Sequence, residues 1–267
     1  MVARARVLQA RVLPHGWLDA LRQISLFAAA YFAYKLVRGI VEQKYGGAAF
    51  AHARDLIAIE RAAHVFVEPS VQAWASGSHI VMVLASWLYV NAQTTITFSA
   101  LLYLYVRHNR NFYFVRNMFM IAMAIALVAY TVFPTAPPRF MPEWGFIDTV
   151  SNVTGMHISH VSASSMSLFN PYAAVPSMHV AFALMIGWPL AYLSRTRVVR
   201  VMWLLYPFLM TFVIVVTANH FILDAFLGAV TAGASAFGAR RLARVGPNAW
   251  RFVGLSSASG ARVTASG

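Results

Sequence analysis

Six stretches of the chain are apolar enough and long enough to cross a bilayer, each bounded by charge or proline. They are Leu18 to Ile40, a run within His79 to Val106, Phe114 to Phe133, a run opening at Pro176 and closing before "SRTRVVR", Val201 to Thr217, and about His220 to Gly238. A spanning helix needs about 20 mostly apolar residues, and in lipid the backbone must satisfy its own hydrogen bonds. The pattern therefore predicts an all-α integral membrane protein, a six-transmembrane-helix bundle. The first run carries Arg22, Lys35 and Arg38 near its ends, where long side chains snorkel. The second holds "YVNAQTT", with Asn91, Gln93 and two threonines, so it is one helix or a helix broken at that point. The segment "AAFAHARDLIAIERAAHVFVEPSVQAWA" has apolar residues at helical spacing interleaved with Arg54, Asp55, Glu60 and Arg61. It predicts an extra amphipathic interfacial helix, lying on the membrane surface on the outer side. In the last run, Gly228, Ala232 and Ala236, with Ala225, Ala229 and Gly233 beside them, predict close helix packing.

Composition agrees with this medium, because 60% of the 267 residues are hydrophobic and only 11% are charged. The net charge of +13 would suit a nucleic-acid partner only if the basic residues shared one solvated face. They do not. Arg4, Arg6 and Arg11 precede the first run, Arg107, Arg110 and Arg116 separate the second from the third, Arg195, Arg197 and Arg200 follow the fourth, and Arg240, Arg241 and Arg244 follow the sixth. In a six-span topology these clusters fall on one side, which the positive-inside rule makes cytoplasmic. The opposite side receives segments 41–78 and 134–175 and, Asp19 aside, the acidic residues, with Asp224 near that face. Both termini are then cytoplasmic, in a plasma membrane protein. Residues 1–17 form a basic cytoplasmic start, 18–245 the membrane domain, and 246–267, with "SSASGARVTASG", a flexible tail. No small-residue cleavage site follows the first run, which is expected to be retained. There is no cysteine, so disulfides and thiolate-held metals are excluded.

Ionisable groups within a membrane span are costly and mark function. Three sites converge at one depth near the outer face: "PTAPPRF" with Arg139, "PSMH" with Ser177 and His179, and "NHFILD" with His220 and Asp224. His220 and Asp224 are spaced to share a helical face, and helical side chains lean toward the N-terminus, so the carboxylate can orient the imidazole. The same pair could instead join two helices by hydrogen bonds. Ser177 and His179 stand at a helix start, where amide groups and the helix dipole attract an anion such as phosphate. A capped helix with an incidental histidine would read the same way. The guanidinium of Arg139 offers a planar fork to phosphate oxygens, or a contact to lipid headgroups. Two histidines and a carboxylate also admit a metal site with open positions. A transporter or assembly subunit using the cluster as a proton relay is the non-catalytic alternative.

Taken together, "PTAPPR", "PSMH" and "HFILD" resemble the signature of the type 2 phosphatidic acid phosphatase (PAP2) superfamily. That signature has a basic motif, a P-S-G-H-like motif, and a final histidine followed after three residues by aspartate. Met178 stands where the phosphatases have glycine, "TFVIVVTANH" lacks their arginine, and no K-x6-R-P stretch precedes. These departures look more like the inositol phosphorylceramide synthase-like branch, in which an alcohol often accepts the phosphoryl group. The resemblance implies a PAP2-type bundle and lipid phosphoryl transfer on the extracytoplasmic side, with water or an alcohol as acceptor. His220 would be the nucleophile that becomes phosphohistidine, Asp224 its orienter and His179 the acid and base. Arg139 and Ser177 would bind phosphate, with no metal or cofactor. The membrane lipid phosphate itself, and its acceptor, stay open. The loop with His157 and His160 is expected to cover the site, and those two histidines are given no role.

Overall fold

The computed structural model describes residue 13, residues 16–154 and residues 172–245, with the side chains at 31, 34–46 and 152–154 excepted. The basic N-terminus, the greater part of the covering loop with His157 and His160, and the C-terminal tail lie outside the described residues. Eight α-helices are formed among them: α1 (Gly16–Ala62), α2 (Glu68–Ser76), α3 (His79–Arg107), α4 (Asn109–Val132), α5 (Thr149–Thr154), α6 (Met178–Leu193), α7 (Arg197–Val216) and α8 (Ile222–Val245). No strand forms among the described residues, and a single isolated bridge joins Thr135 to Ala173.

Four of these helices, α3, α4, α7 and α8, are long and apolar enough to cross a membrane. The fourth expected span is apolar but short, 16 residues in α6. The first is diluted by Asp19, Arg22, Gln23, Lys35 and Arg38 and runs on without interruption into the segment expected to form a separate outer helix. No proline stands between Gly16 and Ala62, so nothing in the sequence stops the helix. A 47-residue helix is about 70 Å long, more than twice the hydrocarbon thickness of about 30 Å. Its last turns must therefore serve something other than a span.

They serve as a cover. Ala49, Ala53, Leu56 and Ile57 are buried in one cluster with Ala136, Met141, Phe146, Val175, Ala218 and Phe221. The apolar stripe assigned from sequence to the membrane surface thus packs on protein, over the end of the bundle where α4, α6 and α8 meet their loops. His64, in a left-handed conformation at φ 56°, turns the chain from α1 toward α2. Gln72 of α2 then holds the following loop, donating to the Ile147 carbonyl at 2.8 Å and accepting from its amide at 3.1 Å.

The polar middle of α3 does not break it. Asn91 donates to the Trp87 carbonyl four residues back, at 3.0 Å, and so meets its need within the helix. The run expected to open at Pro176 begins instead at Met178, with Ser177 extended at the position before the helix. The last helix begins at Ile222, not His220.

Two glycines decide how closely the later helices approach. A Cβ on Gly187 would lie 2.6 Å from the Trp203 carbonyl oxygen, which is why α6 and α7 can pack so tightly. A Cβ on Gly228 would collide with the carbonyl oxygen of Ser177, so glycine lets α8 press against the start of α6. Gly233, counted with it in sequence, faces open space.

At the other end of the bundle a polar network ties α1 to α3 and α4. Asp19 accepts from Tyr105 at 2.9 Å, from Tyr113 at 2.8 Å and from Gln23 at 2.8 Å. Arg116, fully buried, donates to Gln23 and to Asn117.

Candidate functional site

The corner between α7 and α8 is shaped by its own hydrogen bonds. Thr217 donates to the Val213 carbonyl at 2.7 Å, Asn219 donates to the Thr217 hydroxyl at 2.9 Å, and Ala218 takes the left-handed conformation at φ 50°. A non-glycine residue there is uncommon, and it turns the chain sharply so that His220 falls just before α8. Asp224, on the first turn, reaches back: its Oδ2 accepts from the Phe221 amide at 3.0 Å and meets His220 Nδ1 at 3.2 Å. This is a helix-capping geometry turned to the service of an imidazole. The expected pairing of His220 with Asp224 is present, though as a contact across a helix start and not along a helical face.

The start of α6 is held against this corner. The Ser177 amide donates to the Asp224 carbonyl at 3.0 Å, Tyr130 of α4 donates to the Pro176 carbonyl at 3.1 Å, and Gly228 admits the Ser177 backbone. His179, the second residue of α6, is thereby brought to His220, with ring centroids 5.6 Å apart. Tyr89 of α3 stacks on the other side of His179 at 4.5 Å. No side chain caps the N-terminus of α6. The Ser177 hydroxyl is buried and has no hydrogen-bond partner among the described residues.

Arg139 joins through its backbone, its amide donating at 2.8 Å to the Ala218 carbonyl, two residues before His220. A short 3-10 turn, Pro138–Phe140, fixes it, and its guanidinium lies over the Phe140 ring at 4.8 Å. Its Nε is buried without a partner among the described residues. The loop is pinned further by His52, whose Nδ1 bonds the Pro134 carbonyl at 2.7 Å while its ring stacks on Phe133.

Two buried glutamates were not singled out from sequence. Glu68 of α2 accepts from the Ile222 amide at 2.8 Å, and Glu60 of α1 accepts from the Leu223 amide at 2.6 Å. Three carboxylates, Asp224, Glu68 and Glu60, thus cap three successive amides at the start of α8. Burial, and then the neighbouring Glu68 carboxyl, push Glu60 up to about 9. A signal existed: Glu60 continues the stripe of Ala49, Ala53, Leu56 and Ile57 at helical spacing, and an acid on an apolar face is out of place. Tyr89 lay within the polar interruption of α3, where the polar residues drew attention and the aromatic did not.

Beside this cluster, a cavity of about 500 Å³ runs among α6, α7 and α8. It is lined mostly by apolar side chains, among them Val180, Leu184, Trp188, Phe208, Ile222 and Ala225, together with Thr211; Val180 and Ala225 follow His179 and Asp224 in sequence. The arrangement pairs an oriented imidazole with a second imidazole, with donors on Ser177 and Arg139 that lack partners among the described residues and a mostly apolar cavity on the helices that follow. That combination suits an anion attached to a chain.

The PAP2 superfamily profile matches residues 54–238, a range that holds all five expected site residues and both glutamates. No curated protein and no solved structure matches the chain.

Proposed function

As this chain belongs to the PAP2 superfamily, whose members are generally phosphatases or phosphotransferases, we propose that it moves a phosphoryl group from a membrane lipid phosphate through a phosphohistidine. The observation that carries this reading is the placement of two imidazoles 5.6 Å apart, one of them held by a carboxylate through Nδ1. Asp224 fixes the tautomer that leaves Nε2 of His220 as the nucleophilic nitrogen. That nitrogen attacks phosphorus in line, and the bond from phosphorus to the leaving oxygen breaks as His179 protonates that oxygen. In the second step His179 takes a proton from water or an alcohol, whose oxygen displaces His220 from phosphorus and restores the enzyme. Arg139, Ser177 and the amides opening α6 stabilise the charge on the equatorial oxygens.

The lipid's chain is assigned to the mostly apolar cavity, whose wall includes Val180 and Ala225, the residues that follow His179 and Asp224. In this reading α1 and α6 join the four long apolar helices as spans of a six-helix bundle, and the last turns of α1 with α2 lie outside the bilayer over the site. The arginine clusters then place both termini in the cytoplasm of a plasma membrane protein and the site on the extracytoplasmic side. The departures at Met178 and in "TFVIVVTANH" favour an alcohol as acceptor, as in the inositol phosphorylceramide synthase-like branch.

The test supplies lipid carrying labelled phosphate to purified protein with and without a candidate alcohol. Label passing to the alcohol or to water, with an acid-labile phosphoryl group trapped on His220, is the expected result. Transfer that persists in His220→Ala would exclude the nucleophile.

A further inference from the structure

Glu60 and Glu68 have no task in the steps above, yet they are 1% and 0% exposed and lie over the residues that perform them. Each uses one carboxyl oxygen on the start of α8, across 163 and 154 residues of sequence respectively. Burying two carboxyl groups side by side is costly unless they serve each other. Neither carboxylate is neutralised by its neighbours on α8, since the partners it meets there are backbone amides. The acidic groups beside Glu60 are Glu68 on α2 and Asp224 on α8, and the second carboxyl oxygens of Glu60 and Glu68 are buried without a hydrogen-bond partner among the described residues. The next residue, Arg61, turns away, its guanidinium 5.7 Å from the Trp144 ring centre.

We propose that Glu60 and Glu68 are positioning residues for the His220–Asp224 couple, fixing the amides of Ile222 and Leu223 so that His220 presents its outer nitrogen to phosphorus. The inference rests on the phosphoryl-transfer reading for its consequence, though not for its geometry. His220 is the second residue before Ile222, and Asp224 is the next after Leu223. With both intervening amides held from outside the helix, the tilt of α8's first turn and the direction of the Asp224 carboxylate are set by α1 and α2. A misplacement of about 1 Å at a reacting group is worth on the order of 100-fold in rate.

The carboxyl pair also adds a protonation condition. Burial and the neighbouring Glu68 push Glu60 up to about 9, so Glu60 keeps its proton at neutral pH. Near pH 9, where Glu60 loses its proton, a negative charge would appear at a buried site against the amide-capping cluster, and the first turn of α8 would be pushed from its place. The cover formed by α1 and α2 is then part of the active site's frame, not merely a lid upon it.

The experiment uses full-length protein in detergent micelles with dioctanoyl phosphatidic acid as probe, comparing Glu60→Ala, Glu68→Ala and Glu60→Gln. Both alanine variants should lose on the order of 10- to 100-fold in kcat with KM within about twofold. Glu60→Gln, which keeps an acceptor for the Leu223 amide, should restore most of kcat at pH 7 and lose the fall in rate near pH 9. A purely architectural role would leave that limb of the pH profile unmoved. In parallel, carbethoxylation of His220 by diethyl pyrocarbonate, followed by mass spectrometry, reads the imidazole's reactivity without any turnover. It should slow severalfold in both alanine variants and recover in Glu60→Gln. With an active wild type, alanine variants of unchanged kcat, or a Glu60→Gln variant with the wild-type alkaline limb, overturn the proposal. If the wild type transfers no phosphate, the phosphoryl-transfer reading fails, and unchanged carbethoxylation of His220 then overturns the positioning role on its own.

Discussion

Two groups of polar side chains are buried in this bundle, and they lie toward opposite ends of α4. One is built on Arg116 near its start, the other reaches it through Tyr130 near its end, about 20 Å away along the helix. In the first, Asp19 accepts three hydrogen bonds and Arg116 is met by Gln23 and Asn117. Among the described residues none of its buried atoms is left without a partner. In the second, Arg139 Nε, Ser177 Oγ, Asp224 Oδ1 and one carboxyl oxygen each of Glu60 and Glu68 are buried and unmet among the described residues. An unmet buried polar atom costs about 1–3 kcal/mol, so a fold keeps one only where something else is gained. The completed network locks α1 to α3 and α4. The incomplete one leaves donors and acceptors open, as the proposed phosphoryl site requires.

The sharpest way to break this contrast is to replace one residue from each group and measure both properties. His220→Ala should lower phosphoryl transfer by about 10⁴-fold or more, in line with the loss of a nucleophile. The apparent melting temperature in detergent should change little, because the site was not assembled for stability. Large unfolding in this variant would place His220 among the structural residues. Arg116→Met should show the reverse. Removing one member of a buried charged network leaves the rest unpaired, at a cost of about 3–5 kcal/mol. The melting temperature should fall steeply, while the folded fraction keeps its kcat. A loss of kcat without a loss of stability would mean that the two ends are coupled.

The same contrast explains what could be read in advance. Hydropathy located α3, α4, α7 and α8 because lipid exposure demands apolar side chains on those helices, whatever their partners. Motif spacing singled out His179, His220 and Asp224, and the structure sets the three side chains together because a helix start fixes its neighbours locally. The role of the last turns of α1 was not legible. An amphipathic stripe states that one face is buried, but a bilayer and a protein bury it equally well, and only the tertiary fold sets Ala53 and Ile57 against Ala218 and Phe221. The partners of Glu60 and Glu68 were hidden for the same reason, since they are backbone amides more than 150 residues away. Backbone amides leave no mark in a sequence.

Glu60 gives a smaller effect, read as stability against pH. Its folded-state value is raised from 4.5 to about 9, so the folded protein holds a proton that the unfolded chain releases above pH 4.5. The stability this supplies is complete below pH 4.5 and is lost as pH rises toward 9. The apparent melting temperature should therefore fall between pH 6 and pH 9, and Glu60→Gln should flatten that slope. An unchanged slope in the glutamine variant would assign the decline to other groups and remove Glu60 from the titrating set.

Ser177 carries the smallest effect and the most informative sign. Its hydroxyl is fully buried and unmet, whereas its amide and carbonyl are both engaged, with Asp224 and Ala181. Alanine keeps those backbone bonds and removes only the unmet group. In an ordinary core, deleting a polar atom that has no partner leaves stability unchanged or raises it by up to about 1 kcal/mol. Ser177→Ala should do the same here in protein without lipid. If the hydroxyl is held for the phosphoryl oxygens, however, the variant should also lose about 10-fold in kcat, since a donor aimed at developing charge contributes chiefly in the transition state. Stability held or gained with activity lost is the signature of a group kept for chemistry. A variant that loses stability and keeps its kcat would move Ser177 into the company of Arg116, and the distinction between the two ends of α4 would lose its clearest member.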